Sequence, residues 1–459
     1  MTSIVHSSVR PIRRLSHLLL AGHNPLSPPL AYSQRSQQSP SNPSLSPVPL
    51  SSWLGSIGRA QDVADGYHLT SISAGQGHTF LSYENATGVG RVFALGRNEA
   101  GQLGLDFASQ EETRGLVEGF QGDRILSTKA ACQSGYIVLE QQHETALYVC
   151  GNLSRGRLAQ PAFYPPAPLE EHDQPALSLL SKATKVTLPP GLDRIRQIET
   201  GFEHLQILSE HGTLYGSGCN TDGQLGLGRS CLSDIYQLTP MPIPDEIVAQ
   251  GGIATVRAGA DTSALITKEG RLWTWGNSEY AQGLQGIKID QIHAPIPIDH
   301  SFLPPSRRVV DYQCGGSFAI VLDDRGSVYS AGFGALGLGS STLESNRVQR
   351  IDALEGCGIT RIRAGWGWAT AIRDAPDGSS ALYTWGLNNS HGRLGVGTTG
   401  SAPRTREKPS VPLHVYEPTE VDLPLRELGL DRDDVEWAID QVECGSDAFW
   451  VSLGESYTD

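Results

Sequence analysis

Acidic residues are missing from the start of the chain: no Asp or Glu occurs between Met1 and Gln61, although the 459 residues carry 49 of them. Arg10, Arg13 and Arg14 stand there among serines and apolar residues, the composition of an organellar presequence. Ile4, Val5, Val9, Ile12 and Leu15 form one weak apolar face, interrupted by Pro11. Residues 1–17 therefore read as a mitochondrial presequence. The alternatives are an untargeted basic tail and a secretory signal, which needs an apolar stretch of roughly 7–15 residues where only about four to six are available. Long hydrophobic runs are absent as well. The longest near the start, Leu18-Leu19-Leu20-Ala21, is far below the roughly 20 residues that cross a bilayer, so no membrane span is expected.

Positive charge is scarce: 35 Lys and Arg against 49 Asp and Glu leave a net charge of -14. That balance argues against affinity gained by neutralising phosphates, hence against direct nucleic-acid binding. The seven cysteines (Cys132, Cys150, Cys219, Cys231, Cys314, Cys357, Cys444) contain no CxxC pair, which removes the usual nucleus of a zinc or redox centre. They read as buried free thiols in a reducing compartment. Walker A, HExxH and GxSxG patterns are also lacking, so the common phosphate, zinc-protease and α/β-hydrolase chemistries have no sequence support. Gly332-Phe-Gly334-Ala-Leu-Gly337 spells GxGxxG, but it follows a strand pattern with no βαβ unit and reads as a decoy.

What is present is a repeat. One pattern is an apolar strand ending in a small residue and Gly, as in Ile72-Ser-Ala-Gly75. It recurs at Gly201, Gly259, Gly315, Gly365 and Gly445, with a degenerate copy, Lys129-Ala-Ala-Cys132, that sets Cys in the place of Gly. The second pattern is an alternating strand, a Gly and a Gly-rich turn, as in Val92-Phe-Ala-Leu-Gly96-Arg-Asn98-Glu-Ala-Gly101-Gln-Leu-Gly104. Further copies end at Gly151, Gly218, Gly276, Gly332 and Gly386. The second Gly trails the first by 17 residues in the tightest copies (Gly201 to Gly218, Gly259 to Gly276, Gly315 to Gly332), and the same step from Gly445 runs past Asp459. Leu18-Leu-Leu-Ala-Gly22-His-Asn24, by contrast, is a second pattern with no first pattern before it.

The two incomplete halves complete one another, which a linear solenoid does not need and a ring does. The 370 residues from Gly75 to Gly445, taken in six steps, average about 62, enough for a four-stranded blade and a loop. The expectation is an all-β, seven-bladed propeller over residues 18–459, its last blade completed by an N-terminal strand at about 18–24. Residues 25–52, rich in Ser and Pro, predict a mobile loop. Insertions at about 161–190 and 398–440 belong on the surface, and Asp431 to Ile439 reads as a short amphipathic helix.

This pair of patterns resembles the regulator of chromosome condensation repeat family of seven-bladed propellers, over nearly the whole chain from Leu18 to Leu453. Within the family it is most similar to the mitochondrial branch, at Glu112-Thr113-Arg114-Gly115, Gly276-Asn277-Ser278-Glu279-Tyr280 and the shortened Gly332-Phe-Gly-Ala-Leu-Gly-Leu-Gly339. The resemblance implies a protein-binding propeller, not an enzyme with covalent chemistry. It implies a partner of the small or dynamin-like GTPase class, or mitochondrial ribosome assembly factors. The corresponding roles are nucleotide exchange on an organellar GTPase and scaffolding in mitochondrial ribosomal RNA maturation. The alternative is a cytoplasmic relative linked to tubulin or tRNA wobble modification.

Localisation is expected in mitochondria, in the matrix or against the inner membrane. No loop matches the family's nucleotide-displacing wedge residue by residue. Arg114, Glu279 and Tyr280, which depart from the generic repeat, are the candidate partner surface, with local packing as their competing role. His78 and His204, three residues after their glycines, are expected to hydrogen-bond to the neighbouring blade. No cofactor or metal is expected.

Overall fold

A computed structural model of the chain describes residues 15–23, 41–48, 66–120, 122–141, 144–164, 178–374, 380–397, 412–431 and 436–456. Among them, 28 strands form seven four-stranded antiparallel sheets. Each sheet is a blade whose strands, A to D, run from the axis outward. The A strands are His68–Ala74, Arg124–Ala130, Ile195–Thr200, Ile253–Gly259, Val309–Cys314, Ile359–Gly365 and Glu436–Cys444, for blades 1 to 7. Each lies beside the next, and the last lies beside the first. The sheets form a ring.

Blade 7 joins the two ends of the chain. Its first two strands are Glu436–Cys444 and Ala448–Ser456; its third is Leu15–His23, paired Leu19 with Val451 and Ala21 with Phe449. Leu18, Leu19, Leu20 and Ala21 are at most 2% exposed, so the closing strand is core and not a cover. Its fourth strand, Ser41–Pro47, lies inside the stretch expected to be a loop. A D strand needs only one apolar anchor, here the buried Leu45, and an edge position tolerates proline. Strand Leu15–His23 also begins within residues 1–17, while residues 1–14 and most of the Ser/Pro-rich stretch lie outside the described residues.

Two further expectations change. The helix at Asp431 to Ile439 is replaced from Glu436 onward by the A strand of blade 7, where Ile439 and Val442 are buried and Trp437 is half-buried; helix occurs instead at Leu425–Leu428. The insertions contribute blade strands of their own, Leu179–Lys185 and His414–Glu420. In the degenerate repeat it is Ala131, not Cys132, that takes the glycine position. The Ala131 N–H donates to Ser134 O (2.9 Å), as Gly75 does to His78, Gly201 to His204 and Gly445 to Ala448.

The core lies between blades because side chains alternate across each strand. Leu265, Trp273 and Trp275 of blade 4 pack on Leu208 and Leu214 of blade 3, whereas Ala264, Ile266 and Leu272 pack on Tyr312, Ala319 and Val321 of blade 5. Trp before Gly has a polar reason too: Trp275 Nε1 donates to Gln224 O (2.9 Å) and Trp385 Nε1 to Ala335 O (3.0 Å), each in the preceding blade. At the axis the backbones nearly touch. A Cβ on Gly259 would stand 2.1 Å from Cys314 O, and one on Gly201 2.2 Å from Ala260 O.

The A-strand side chains two residues before the glycine position in blades 2, 3, 4, 6 and 7, with Asp311 four residues before Gly315 in blade 5, meet around the channel as an alternating girdle. Lys129 pairs with Glu199 (2.9 Å), Arg257 with Glu199 (3.6 Å) and with Asp311 (2.8 Å), and Arg363 with Asp311 (3.9 Å) and Glu443 (4.0 Å). Glutamine amides clamp backbone across seams: Gln441 bonds Thr70 O (2.7 Å) and the Ile72 N–H (2.8 Å) between blades 7 and 1. Gln197 does the same to Val256 between blades 3 and 4. Replacing Arg257 with Met takes one of two cations from each of Glu199 and Asp311, leaving them Lys129 and Arg363. The expected loss of unfolding free energy is about 2–3 kcal/mol in a denaturant titration, less than the ~3–5 of a fully buried pair because the side chain is 21% exposed.

Candidate partner-binding face

Because each A strand runs toward the glycine and neighbouring strands are antiparallel, the A–B turns and the described C–D turns emerge on one face. The opposite face carries the described B–C hairpins and connections between blades. The Gly-rich pattern builds the first of these faces. Asn98 Oδ1 accepts from the Leu103 N–H (3.1 Å) and Gln102 Oε1 from the Ala100 N–H (2.9 Å), folding the C–D turn of blade 1. Asn220 and Gln224 repeat both bonds in blade 3.

Arginine replaces that glutamine in blades 2 and 6. Arg157 bonds the carbonyls of Ser154 and Cys132 and pairs with Glu203 of blade 3. Arg393 bonds Leu387 O and Ser446 O, and burial lowers its guanidinium to about 10. These cations are spent inside the fold. Arg97 with Asp447 (3.5 Å) and Arg155 with Asp234 (2.7 Å) are likewise paired.

The carboxylates of blades 3 and 4 differ. Among the described residues, Asp222, Asp261 and Glu279 have no cationic ion-pair partner. Burial, then Asp222 and Glu203 nearby, raise Asp261 from 3.8 to about 6. Beside them, Phe202 and Trp366 meet across the channel mouth with ring centroids 4.6 Å apart. Tyr280 lies against Phe333 at 5.7 Å.

Of the residues singled out from sequence, exposed Glu279 and half-buried Tyr280 fall together in the C–D turn of blade 4. Arg114 is half-buried in the D strand of blade 1, Ser109–Leu116, three blades away. Its neighbour Glu112 has a role in closure: the buried carboxylate takes His23 Nε2 of the closing strand at 2.8 Å. His204 Nε2 bonds Ser263 Oγ of the next blade (3.0 Å), as expected, while His78 packs edge-on to Phe80 (5.5 Å). Burial lowers the imidazoles to about 3 and about 4, so both are neutral at physiological pH.

The GxGxxG stretch ends a strand, Val328–Phe333, and no helix follows it. Among the described residues no group of three or more His, Cys, Asp or Glu is arranged to hold a metal. Phe202, Trp366, Asp222 and Asp261 were not picked out by sequence. Phe202 and Trp366 each follow the repeat glycine, where other copies carry Gln76, Ala260, Gly316 or Ser446.

The raised Asp261 has a signed consequence. The folded chain holds that proton more tightly than the unfolded chain, so the residue favours folding below about pH 4 and costs stability as pH rises through 6. Asp261→Asn keeps the acceptor for Gln224 Nε2. It is expected to raise the melting temperature by about 1–3 °C at pH 7.5 and by less at pH 4.5 in thermal scans.

Comparison with known proteins agrees with this architecture. Two models described as the regulator of chromosome condensation (RCC1) repeat match residues 211–266 and 253–282. The RCC1-like G exchanging factor-like protein of Homo sapiens is 26% identical over 351 residues, 72% of this chain and 69% of that protein. The mitochondrial RCC1 domain-containing protein RUG3 of Arabidopsis thaliana is 32% identical over 237 residues, 50% of this chain and 48% of its own length. The crystal structure of human WBSCR16 superposes with a TM-score of 0.69 at 22% identity, covering 96% of this chain and 99% of that one. The chain thus carries RCC1 repeats at residues 211–282, within a seven-bladed ring that is similar to these proteins.

Proposed function

We propose that this protein is a mitochondrial regulator of a GTPase that engages its partner through the turn-bearing face and promotes nucleotide exchange. The observation that carries the reading is the set of carboxylates Asp222, Asp261 and Glu279 without cationic partners beside an aromatic channel mouth. Similarity to an RCC1-like G exchanging factor-like protein supports the activity. The acid-free N-terminal segment with Arg10, Arg13 and Arg14, together with a mitochondrial relative, supports the compartment.

Exchange asks for no covalent step. The propeller has to bind the nucleotide-free GTPase more tightly than the nucleotide-bound form, and only that difference moves the equilibrium. A GTPase holds its phosphates with a lysine, backbone N–H groups and Mg²⁺. Carboxylates of a partner compete for that lysine and that ion, and a rigid ring supplies them without an ordering cost.

Release of fluorescent GDP from purified mitochondrial GTPases, with the full chain in catalytic amounts, tests the proposal. Acceleration of tenfold or more is expected with one of them, and the D222N/D261N/E279Q variant should lose most of it. No acceleration with any GTPase, alongside co-sedimentation with large ribosomal subunit intermediates, would replace exchange by the scaffold role.

A further inference from the structure

Eleven large apolar side chains are exposed among the described residues, and seven of them fall in blades 5 and 6: Val310 at the start of an A strand, away from the turns, and a group of six around the turns, Phe333, Leu343, Trp366, Leu387, Leu413 and Tyr416. Scattered exposed apolar residues need no explanation, but these share the face that carries the turns. Backbone bonds tie them together. The Leu387 N–H donates to Gly367 O (2.8 Å), next to Trp366, and the Phe333 N–H to Ser317 O (2.8 Å). Ser317 follows Gly316, over which the Trp366 ring lies. The Gly334 N–H donates to Leu343 O (2.8 Å) and the Asn388 N–H to Leu413 O (2.9 Å). Trp366, 46% exposed, is the axial end of the group, held from the other side of the channel mouth by Phe202.

One flank of this patch is acidic. Phe202 donates its N–H to Ala260 O (2.9 Å), which places Asp261 one residue from the group that stacks on Trp366. Glu279 adjoins Tyr280, whose ring meets Phe333. The nearby cation Lys288 is held by Glu344.

Three occupants can be weighed by charge. Single-stranded nucleic acid stacks on aromatics only where cations track its backbone, and here carboxylates would face its phosphates. A second copy of the chain would bring like charge against like across the same flank. A polypeptide segment with an aliphatic or aromatic anchor and lysine or arginine beside it satisfies both parts of the surface. Exposed Trp is also the residue type that most often supplies anchoring energy.

We propose that the patch on blades 5 and 6 docks a basic, apolar-anchored polypeptide segment of a partner protein, the anchor packing beside Trp366 and the cations facing Asp261 and Glu279. The inference rests on the partner-binding reading of this face and specifies the chemistry of what it takes.

The probe is a fluorescein-labelled twelve-residue peptide of alternating Arg and Leu, titrated with the full chain and followed by anisotropy. A Glu-Leu peptide and a twelve-nucleotide RNA serve as comparisons. The Arg-Leu peptide should bind and the other two should not. Trp366→Ser should weaken binding at least tenfold with an unchanged melting temperature, and Leu387→Ser provides a second variant if the first fails to fold. The D261N/E279Q variant should weaken it about threefold and flatten its salt dependence.

Equal binding by the Trp366 and Leu387 variants, or preference for RNA or for the Glu-Leu peptide, would overturn the site. So would a concentration-dependent dimer in sedimentation velocity that Trp366→Ser dissolves. GDP release measured in parallel separates the two readings. Exchange without peptide binding overturns the docking site alone, and peptide binding without exchange overturns the exchange reading alone.

Discussion

The pairing of Leu15–His23 with Ala448–Ser456 decides whether this chain is a ring or an open array of sheets. Each blade buries its faces only against two neighbours, so an unpaired second strand in blade 7 would expose both an apolar surface and a row of backbone donors and acceptors. The closing strand covers these at once, with four successive residues, Leu18 to Ala21, in the core. Its end is then locked to blade 1 through His23 and Glu112, while Gln441 clamps the axial side of the same seam. Closure is thus fastened at the rim and at the axis.

Closure in turn fixes the channel mouth. Seven A strands can converge only where their last residue is small, and that closeness lets N–H groups of one blade bond carbonyls of another, as Ser446 does with Gly75 and Phe202 with Ala260. Below that collar, the charge girdle matches cations to carboxylates around the channel. The turns above are therefore held by a rigid base. Trp366, Tyr280 and Asp261 are thereby carried on backbone that is already ordered.

Spacing made the ring legible. The 17-residue step between paired glycines, and its failure at Gly445, mark both the closing strand and its partner in the sequence. Composition was a poorer guide. Ser41–Pro47 looks like a loop because edge pairing is made by backbone, which leaves no mark on side-chain type, and Glu436–Cys444 looks helical because its bulge between Ile439 and Gln441 breaks strict alternation. The Ala131 and Cys132 register needed the hydrogen bonds, since two small residues in a row give the pattern no phase.

At the site, Glu279 and Tyr280 were reachable as departures from the repeat, but Arg114 belonged to a segment whose departure serves closure. Trp366 carries no mark in the repeat, because the position after the glycine varies from copy to copy. Native-state hydrogen exchange at the amides of Leu18, Leu19 and Leu20 bears most directly on the account. If the ends of the chain share one cooperative sheet, these amides exchange only through global unfolding, at the same free energy as Val451. Exchange at the rate of a frayed terminus, orders of magnitude faster than Val451, would contradict the closed ring.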